Sequence, residues 1–487
     1  SSMLYEWLSN WFGGAANGGQ RKHLHRAPPR MVGPYAEADA DIPLRLAQVM
    51  YPLLKQEGLL ELFSIECRLI PLMVKMRFAG VSVDLNKAEK VRDDLILRTK
   101  DLHANLKYQL GFGINVDSPG DLKTAFDTLE IKYPLTAKGN PSFTGDFLDS
   151  LTHPAAEMIK EIRKLDKLRG TFIESYILDS HINGKVYGQF HQLRSEGGGT
   201  RSGRFSSSNP NLQNIPSRDE ELAPLIRGMF IPDEGHVAWR KYDYSQIEYR
   251  MLIHYAVGNA GEAIRKYFWE HPDTDYHVYA QGVVRDETGE DINRKAIKKI
   301  NFGLIYGMGA ATLGHGLGMS TKEAKALMEI YFKGVPFAKP TMEAAMEEAQ
   351  KLGVITTVLG RKSRFDLWEP ADWNDSRPAL PRDRALNQYG GNIQRAYTHK
   401  ALNRRLQGSA ADLMKMAMLK CYEDGVFDLI GVPRLTVHDE LDFSDFGGVD
   451  EGYKEMQQIM ETALQLKVPV KADGEIGPNW GDVAEIK

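Results

Sequence analysis

The chain has few cysteines, no long apolar run and little net charge, and each absence narrows its possible roles. Only 2 of its 487 residues are cysteine, Cys67 and Cys421, and they stand far apart. This excludes a Cys-rich zinc site and gives no disulfide framework, which fits a reducing cytosol, so a cytoplasmic location is expected. No run of about 20 apolar residues occurs, and no membrane span is expected. The opening SSMLYEWLSN lacks a signal-peptide pattern. There is no internal repeat and no long low-complexity tract, and the Gly/Ala/Asn stretch 13–19 reads as a flexible loop. Lys and Arg total 61 against 65 Asp and Glu, a net charge of −4. Taken alone this argues weakly against nucleic acid, although a basic cleft can coexist with an acidic exterior. Hydrophobic residues at 42% suffice for a sizeable core, and the length suggests about three domain-sized units.

What is present is concentrated in RKAIKKINFGLIYGMG. Arg294, Lys298, Phe302 and Tyr306 recur every fourth residue, which places them on one face of a helix. At about 1.5 Å rise per residue the stripe is roughly 18 Å long. It carries two cations and then two flat rings, the order of a nucleoside triphosphate laid along a helix. Arg offers a planar fork of donors for phosphate oxygens, and Lys a compact point charge. No Asp or Glu occurs from Arg294 to Met308, so an anion is expected there. Each residue taken singly is equally at home on an ordinary amphipathic helix.

Two further clusters bear acids. VAWRKYD reads as a strand ending at Asp243, and SQIEYRMLIHYA as a helix beginning at Ser245, so Asp243 falls at a strand-to-helix junction. In RLTVHDELDFS, Leu435 and Val437 alternate with polar residues and Leu441 and Phe443 follow a tight turn. The pattern predicts a hairpin with His438, Asp439 and Glu440 at its tip. Adjacent acids at such a tip are commonly just a solvated turn. Only the fold can bring Asp243 and Asp439 together.

Asp243-Tyr-Ser-Gln-Ile-Glu248, the Arg294-to-Tyr306 helix and Val-His-Asp439-Glu440 resemble motifs A, B and C of family A DNA polymerases, in order and at family spacing. TRSGRFSSSNPNLQNIPSR at 200–218, GVITTVLGRKSR at 353–364, LNRRLQGSAADLMK at 402–415 and VPVKADGEIGPNW at 468–480 resemble further family segments. The resemblance covers roughly 35–487, and the 4–45 stretch looks more like phage members than bacterial ones. It implies an α+β, predominantly helical fold: a right hand of palm (antiparallel sheet), fingers and thumb, after a short N-terminal exonuclease remnant.

The implied reaction is attack of a primer 3′-hydroxyl on the α-phosphorus of an incoming dNTP, with pyrophosphate leaving. Such chemistry rests on positioning and charge stabilisation, here with two Mg²⁺ ions (Mn²⁺ can substitute) about 3.5–4 Å apart. The family implies Asp243 and Asp439 as metal ligands, with the Tyr244 carbonyl as an extra one and Glu440 nearby. Arg294 and Lys298 would bind the triphosphate, Lys298 as proton donor to the leaving group. Gln246 and His277 would join the dNTP site, Phe302 would pack beside the sugar, and Tyr306 would stack near the templating base. A Phe at the Phe302 position implies discrimination against dideoxynucleotides.

Glu248 carries two readings. Ser245-x-x-Glu248 is a capping-box pattern, whereas the family uses a glutamate here to exclude a 2′-hydroxyl. Arg204, Gln213, Asn403, Gln407 and His438 match positions at the primer-template minor groove or primer end, where acceptors are nearly alike for all correct pairs. His399 departs from the pattern, since the family commonly has an arginine there.

The implied divisions are an exonuclease remnant 1–58, with Tyr35-x-x-x-Asp39 resembling its third motif; palm start 59–85; thumb 86–176; palm with motif A 177–255; fingers with motif B 256–395; and palm with motif C 396–487. Asn86-x-x-Glu89 reads as a helix cap, followed by Val91, Leu95, Leu102 and Leu106 at helical spacing. A second helix from about Pro154 would turn Ile162, Leu165, Leu168 and Phe172 inward and offer Lys164, Lys167 and Arg169 to DNA. The stretch 366–394 reads as a loop insertion, and Gly303, Gly307 and Gly309 weaken the helix near Tyr306. Residues 1–34 hold a single acid, Glu6, so this chain alone is not expected to proofread. The expected partners are primer-template DNA and dNTPs, with the chain acting as a monomer; the sequence names no processivity partner. A single-subunit RNA polymerase shares similar palm motifs, but Glu248 argues against it. An inactive DNA-binding or processivity protein is countered by intact Asp243, Asp439, Arg294 and Lys298.

Overall fold

The computed structural model describes every residue except 1, 137, 195–198, 218, 290–291, 306, 373–374, 376 and 487, and the backbone alone at 2, 304 and 305. The chain divides into two compact units, Ser1–Cys67 and Arg68–Lys487. Among the described residues no helix is long and apolar enough to cross a membrane.

The first unit holds helices Ser2–Phe12 and Pro29–Gln56, joined by a 3₁₀ segment Gly18–Arg26. The stretch read as a flexible loop is tied down locally. Asn17 accepts the Gly19 N–H at 2.9 Å, and the buried Gln20 amide donates to the carbonyls of Gly13 (2.8 Å) and Ala15 (3.0 Å). Tyr35 and Asp39 lie on the second helix, with Tyr35 edge-on to Tyr5 at 6.5 Å.

The second unit is built on a five-stranded antiparallel sheet, in the order Leu435–Val437, Glu440–Asp445, Ala238–Tyr244, Ala472–Asn479 and Asp482–Glu485. Ala238–Tyr244 is central, paired on both sides. Trp239, Leu441 and Phe443 are fully buried, and the Tyr242 ring stacks on Tyr453 of the Asp450–Thr462 helix at 5.8 Å. The 23-residue helix Ala401–Glu423 packs on this layer and buries most of its length, including Asp412 and Lys415.

The Leu85–Leu110 helix buries Val91, Leu95 and Leu106, as their spacing predicts. Its cap is Asp84, which accepts the Lys87 N–H at 2.9 Å, and not the Asn86-x-x-Glu89 pair. The predicted second helix spans Pro154–Lys167 and continues through wider turns over Leu168–Leu178, with Ile162, Leu165, Leu168 and Phe172 buried. Two of its three offered cations are engaged: Lys164 with Asp219 at 2.6 Å, and Arg169 with Glu174 at 2.8 Å and Asp166 at 3.2 Å. Lys167 is exposed.

The 366–394 stretch is a small folded element and not a loop. Strand Leu367–Pro370 pairs with Leu380–Pro381 on one side and Ile393–Arg395 on the other, and helix Arg382–Tyr389 bridges them. Trp368 is its centre, with the guanidiniums of Arg395 at 4.8 Å and Arg382 at 5.6 Å from the ring. Local composition hid this, because Trp, Pro, Asp and Arg read as loop until cross-strand pairing is known.

Candidate active site

The central strand ends at Tyr244 and the next helix begins at Ile247, later than expected. Gln246 at the junction adopts a left-handed backbone (φ +50°), uncommon for a residue with a Cβ. That twist turns its side chain outward, where Oε1 accepts the Tyr276 N–H at 2.8 Å. Helix Tyr276–Thr288 is thereby pinned to the end of the strand.

The hairpin has His438 and Asp439 as its two turn residues, with Val437 paired to Glu440. His438 is exposed and left-handed (φ +60°). Glu440, expected at the tip, is the first residue of the strand and only 8% exposed. Its Oε1 accepts the Trp480 indole N–H at 2.9 Å, and its other oxygen lies 3.6 Å from the Lys241 amine. Its carboxylate is thus held within the sheet by Trp480 and Lys241.

The register sets Asp243 directly opposite Glu440 on one side and Asp473 on the other. Beyond this pairing, the Tyr244 N–H donates to the Asp439 carbonyl at 3.2 Å. The two distant acids therefore converge at one end of the sheet. Burial, reinforced by the charges of Asp439 and Glu440, pushes the Asp243 carboxyl up to about 8. Burial also raises the Asp439 carboxyl against the pull of Arg204, with Glu440 adding to the rise. Tyr244 is buried and its hydroxyl donates to the Met460 carbonyl at 2.8 Å, so the residue can offer this site only its backbone.

Glu248 does not close a capping box. The helix start has no side-chain cap, and Glu248 Oε1 instead accepts from Arg204 Nη2 at 2.7 Å. The same nitrogen is 3.6 Å from Asp439 Oδ1. Burial raises the Glu248 carboxyl, while Arg204 and His438 oppose the shift.

The stripe forms helix Arg294–Ile305, with Arg294, Lys298 and Phe302 on its exposed face and Ala296, Ile297 and Ile300 buried behind. Lys298 Nζ lies 6.0 Å from the Phe302 ring centre. Arg294 finds a carboxylate on another helix: Asp275 Oδ2 at 3.2 Å. Asp275 also caps helix Tyr276–Thr288, accepting from His277 N at 2.7 Å and Val278 N at 3.0 Å. Its position just before an apolar-periodic run is an N-cap signal legible in the sequence. Tyr306 lies outside the described residues. Gly307, the next described residue, has φ +67°.

His277 is 5% exposed and shares a 2.8 Å hydrogen bond between its Nδ1 and the Asn301 amide. Asn301 in turn accepts from the Tyr331 hydroxyl at 2.5 Å. Burial, with Lys298 and Arg294 adding to it against Asp275, lowers the His277 pKa. Phe302, 39% exposed, sits 5.9 Å from both His277 and Tyr249, and Tyr249 stacks on Tyr276 at 4.8 Å. This aromatic group joins the ring end of the stripe to the strand end that carries Asp243.

The expected DNA-facing residues divide. Arg204 belongs to the acidic group above. Gln213 donates to the Thr436 carbonyl at 2.7 Å and so braces the hairpin. Asn403 and Gln407 are half-buried, one turn apart on helix Ala401–Glu423. His399 has an exposed surface, but partial desolvation of its ring, with the charges of Lys400 and Arg404, lowers its pKa, so it does not replace an arginine's fixed charge.

A family-level profile described as DNA polymerase family A matches residues 85–482. A DNA-directed DNA polymerase of Pseudomonas phage M6 is 33% identical across 95% of this chain and 72% of its own length. The DNA polymerase DpoZ of Salmonella phage PMBT28 is 30% identical across 99% of this chain and 79% of its own. DNA polymerase I of Geobacillus stearothermophilus is 32% identical over 86% of this chain and 46% of its own. Among solved structures, the POL domain of Pol1 from M. smegmatis, in complex with DNA primer-template and dNTP, superposes with a TM-score of 0.76 at 29% identity, over 90% of this chain and 74% of that one. The chain belongs to DNA polymerase family A.

Proposed function

We propose that this polymerase extends a primer 3′-hydroxyl on a DNA template, with Asp243 and Asp439 holding a pair of divalent cations and the Arg294–Phe302 face receiving the dNTP. The observation that carries this reading is the convergence of the two aspartates through the Tyr244–Asp439 backbone bond. The donor set fits Mg²⁺. Two carboxylates and a backbone carbonyl are hard oxygen ligands, and burial beside Asp439 and Glu440, which raises the Asp243 carboxyl, makes its charged form costly unless a cation balances it. Among the described residues no group of three or more His, Cys, Asp or Glu forms a complete metal cage. Mg²⁺ is commonly held in this way, by one or two carboxylates completed by substrate phosphates and water. When bound, the pair would stabilise the attacking and leaving oxygens, and Mn²⁺ would serve in its place.

The chain's own residues do the rest. Lys298 presents an exposed ammonium, unpaired with any carboxylate among the described residues, to the phosphates and to the leaving pyrophosphate. Arg294, already oriented by Asp275, adds a fork for phosphate oxygens. His277, its ring 5.9 Å from that of Phe302, helps to position Phe302, which sets the floor for the sugar. Glu248, held by Arg204, stands as the barrier to a 2′-hydroxyl. Arg204, Asn403, Gln407 and His438 face the primer-template minor groove, and Gln213 acts through the hairpin. The Pol1 neighbour, solved with primer-template and dNTP, supports both substrates.

Primer extension with dNTPs, with and without Mg²⁺, tests the reading. Extension that needs Mg²⁺ and disappears in Asp243→Ala is expected, and extension that survives either change refutes it. The same assay without dNTPs should show no 3′→5′ shortening of the primer.

A further inference from the structure

We propose that Asp412 and Arg361 are positioning residues: they lock the 200–204 segment so that Arg204 holds Glu248 and Asp439, and through this they set discrimination between deoxy- and ribonucleotides. The inference rests on the polymerase reading above and deepens it.

The lock begins with a buried acid. Asp412 is fully buried on helix Ala401–Glu423. Its Oδ1 accepts from Arg361 Nε at 2.9 Å, and its Oδ2 from the Thr357 hydroxyl and the Leu359 N–H. Thr357 and Arg361 close a tight turn between strands Val354–Thr356 and Lys362–Arg364, with the Thr357 N–H donating to the Arg361 carbonyl at 3.0 Å. The turn is thus fastened to the helix by three donors on one carboxylate.

Two glycines admit the 200–204 segment into this assembly. Gly203 has φ +88°, and a Cβ there would lie 2.5 Å from Arg361 Nε. Gly408 sits one turn before Asp412, and its Cβ would meet the Thr357 methyl at 2.5 Å and the Ser202 carbonyl at 3.1 Å. Ser202 and Gly203 are therefore wedged between the helix and the Arg361 guanidinium. The segment is closed on itself by Thr200, whose hydroxyl donates to the Arg204 carbonyl at 2.7 Å. The next side chain out of the wedge is Arg204, which reaches Glu248. The same helix carries Asn403 and Gln407 just upstream, so one rigid element presents those residues and anchors Arg204.

This geometry makes a specific demand on Arg361. A lysine keeps the charge but loses the planar fork that fills the space beside Gly203. The test is a double-mutant cycle on single-nucleotide incorporation, comparing wild type, Arg361→Lys, Arg204→Ala and the double variant with a dNTP and the matching rNTP. Arg361→Lys should lower the dNTP-over-rNTP preference by about fivefold or more, while in the Arg204→Ala background it should change that ratio by less than about twofold. Asp412→Asn, which keeps the side chain's shape, should move the ratio in the same direction. It serves as the second probe if Arg361→Lys lacks the wild-type thermal transition. An unchanged ratio in both variants, or fully additive effects with Arg204→Ala, overturns the proposal, because a merely structural lock would lower activity without acting through Arg204. Wild-type protein that fails to extend a primer removes the polymerase reading itself, which separates that failure from this one.

Discussion

One guanidinium nitrogen, Arg204 Nη2, lies 2.7 Å from Glu248 Oε1 and 3.6 Å from Asp439 Oδ1. The residue proposed to screen the sugar and one of the proposed metal ligands thus share a cation. Glu248→Ala should raise rNTP incorporation by about 10- to 100-fold with a smaller effect on dNTP use, the range expected when a pocket loses a small steric contact. Steady-state kinetics with paired dNTP and rNTP substrates measure this. Sugar selectivity that stays at the wild-type level would remove Glu248 from that role.

Asp439→Asn retains the turn, since the carbonyl that accepts from Tyr244 belongs to the backbone. The variant should fold and bind primer-template, yet lose about a thousandfold or more in kcat, because the metal's several kcal/mol of charge stabilisation depends on the missing carboxylate. Rapid-quench extension alongside fluorescence anisotropy separates the two properties. Comparable turnover would show that Asp439 does not serve the chemistry.

The Asp243 carboxyl, raised from 3.8 to about 8 in the fold, gives a signed pH prediction. Between these values the metal-free native chain keeps a proton that the unfolded chain has released. Stability from this group is therefore full below about pH 4 and is lost as pH climbs to 8. Mg²⁺ competes with that proton, so its affinity should rise with pH and level off above 8. Thermal unfolding across this window, with and without Mg²⁺, should show the largest Mg²⁺ stabilisation at the alkaline end. In Asp243→Asn the pH slope should shrink.

Trp368, flanked by Arg382 and Arg395, is predicted to hold the 367–395 element together. Trp368→Ala should cost about 1–2 kcal/mol in cation–π contact alone. Limited trypsin digestion should then cut near Arg382 and Arg384 sooner, while primer extension persists. Unchanged digestion would mean that strand pairing by itself maintains the element.

Local pattern was enough for much of this. The four-residue period of Arg294, Lys298 and Phe302 has its counterpart in a real helix face, and the alternation around Leu435 and Leu441 in a real hairpin. What local pattern could not reveal was set by register and by long-range partners. Glu440 belongs to the strand because Val437 and Asp243 pair with it. Ser245 stays outside the helix because Gln246 takes a left-handed turn to reach Tyr276. Glu248 fits a capping pattern on paper, but an arginine more than forty residues upstream claims its carboxylate. Arg361 and Asp412 lie in segments that resemble the family, but nothing in the sequence joins them until the turn and the helix meet.

The order of the strands along the chain has a consequence for synthesis on the ribosome. The helix bearing Lys298 emerges well before the hairpin that carries Asp439, and the Ala472–Asn479 strand flanking Asp243 comes later still. A growing chain would carry the proposed nucleotide face before the proposed cation pair is assembled, since that pair waits for the hairpin and for the strand beside Asp243.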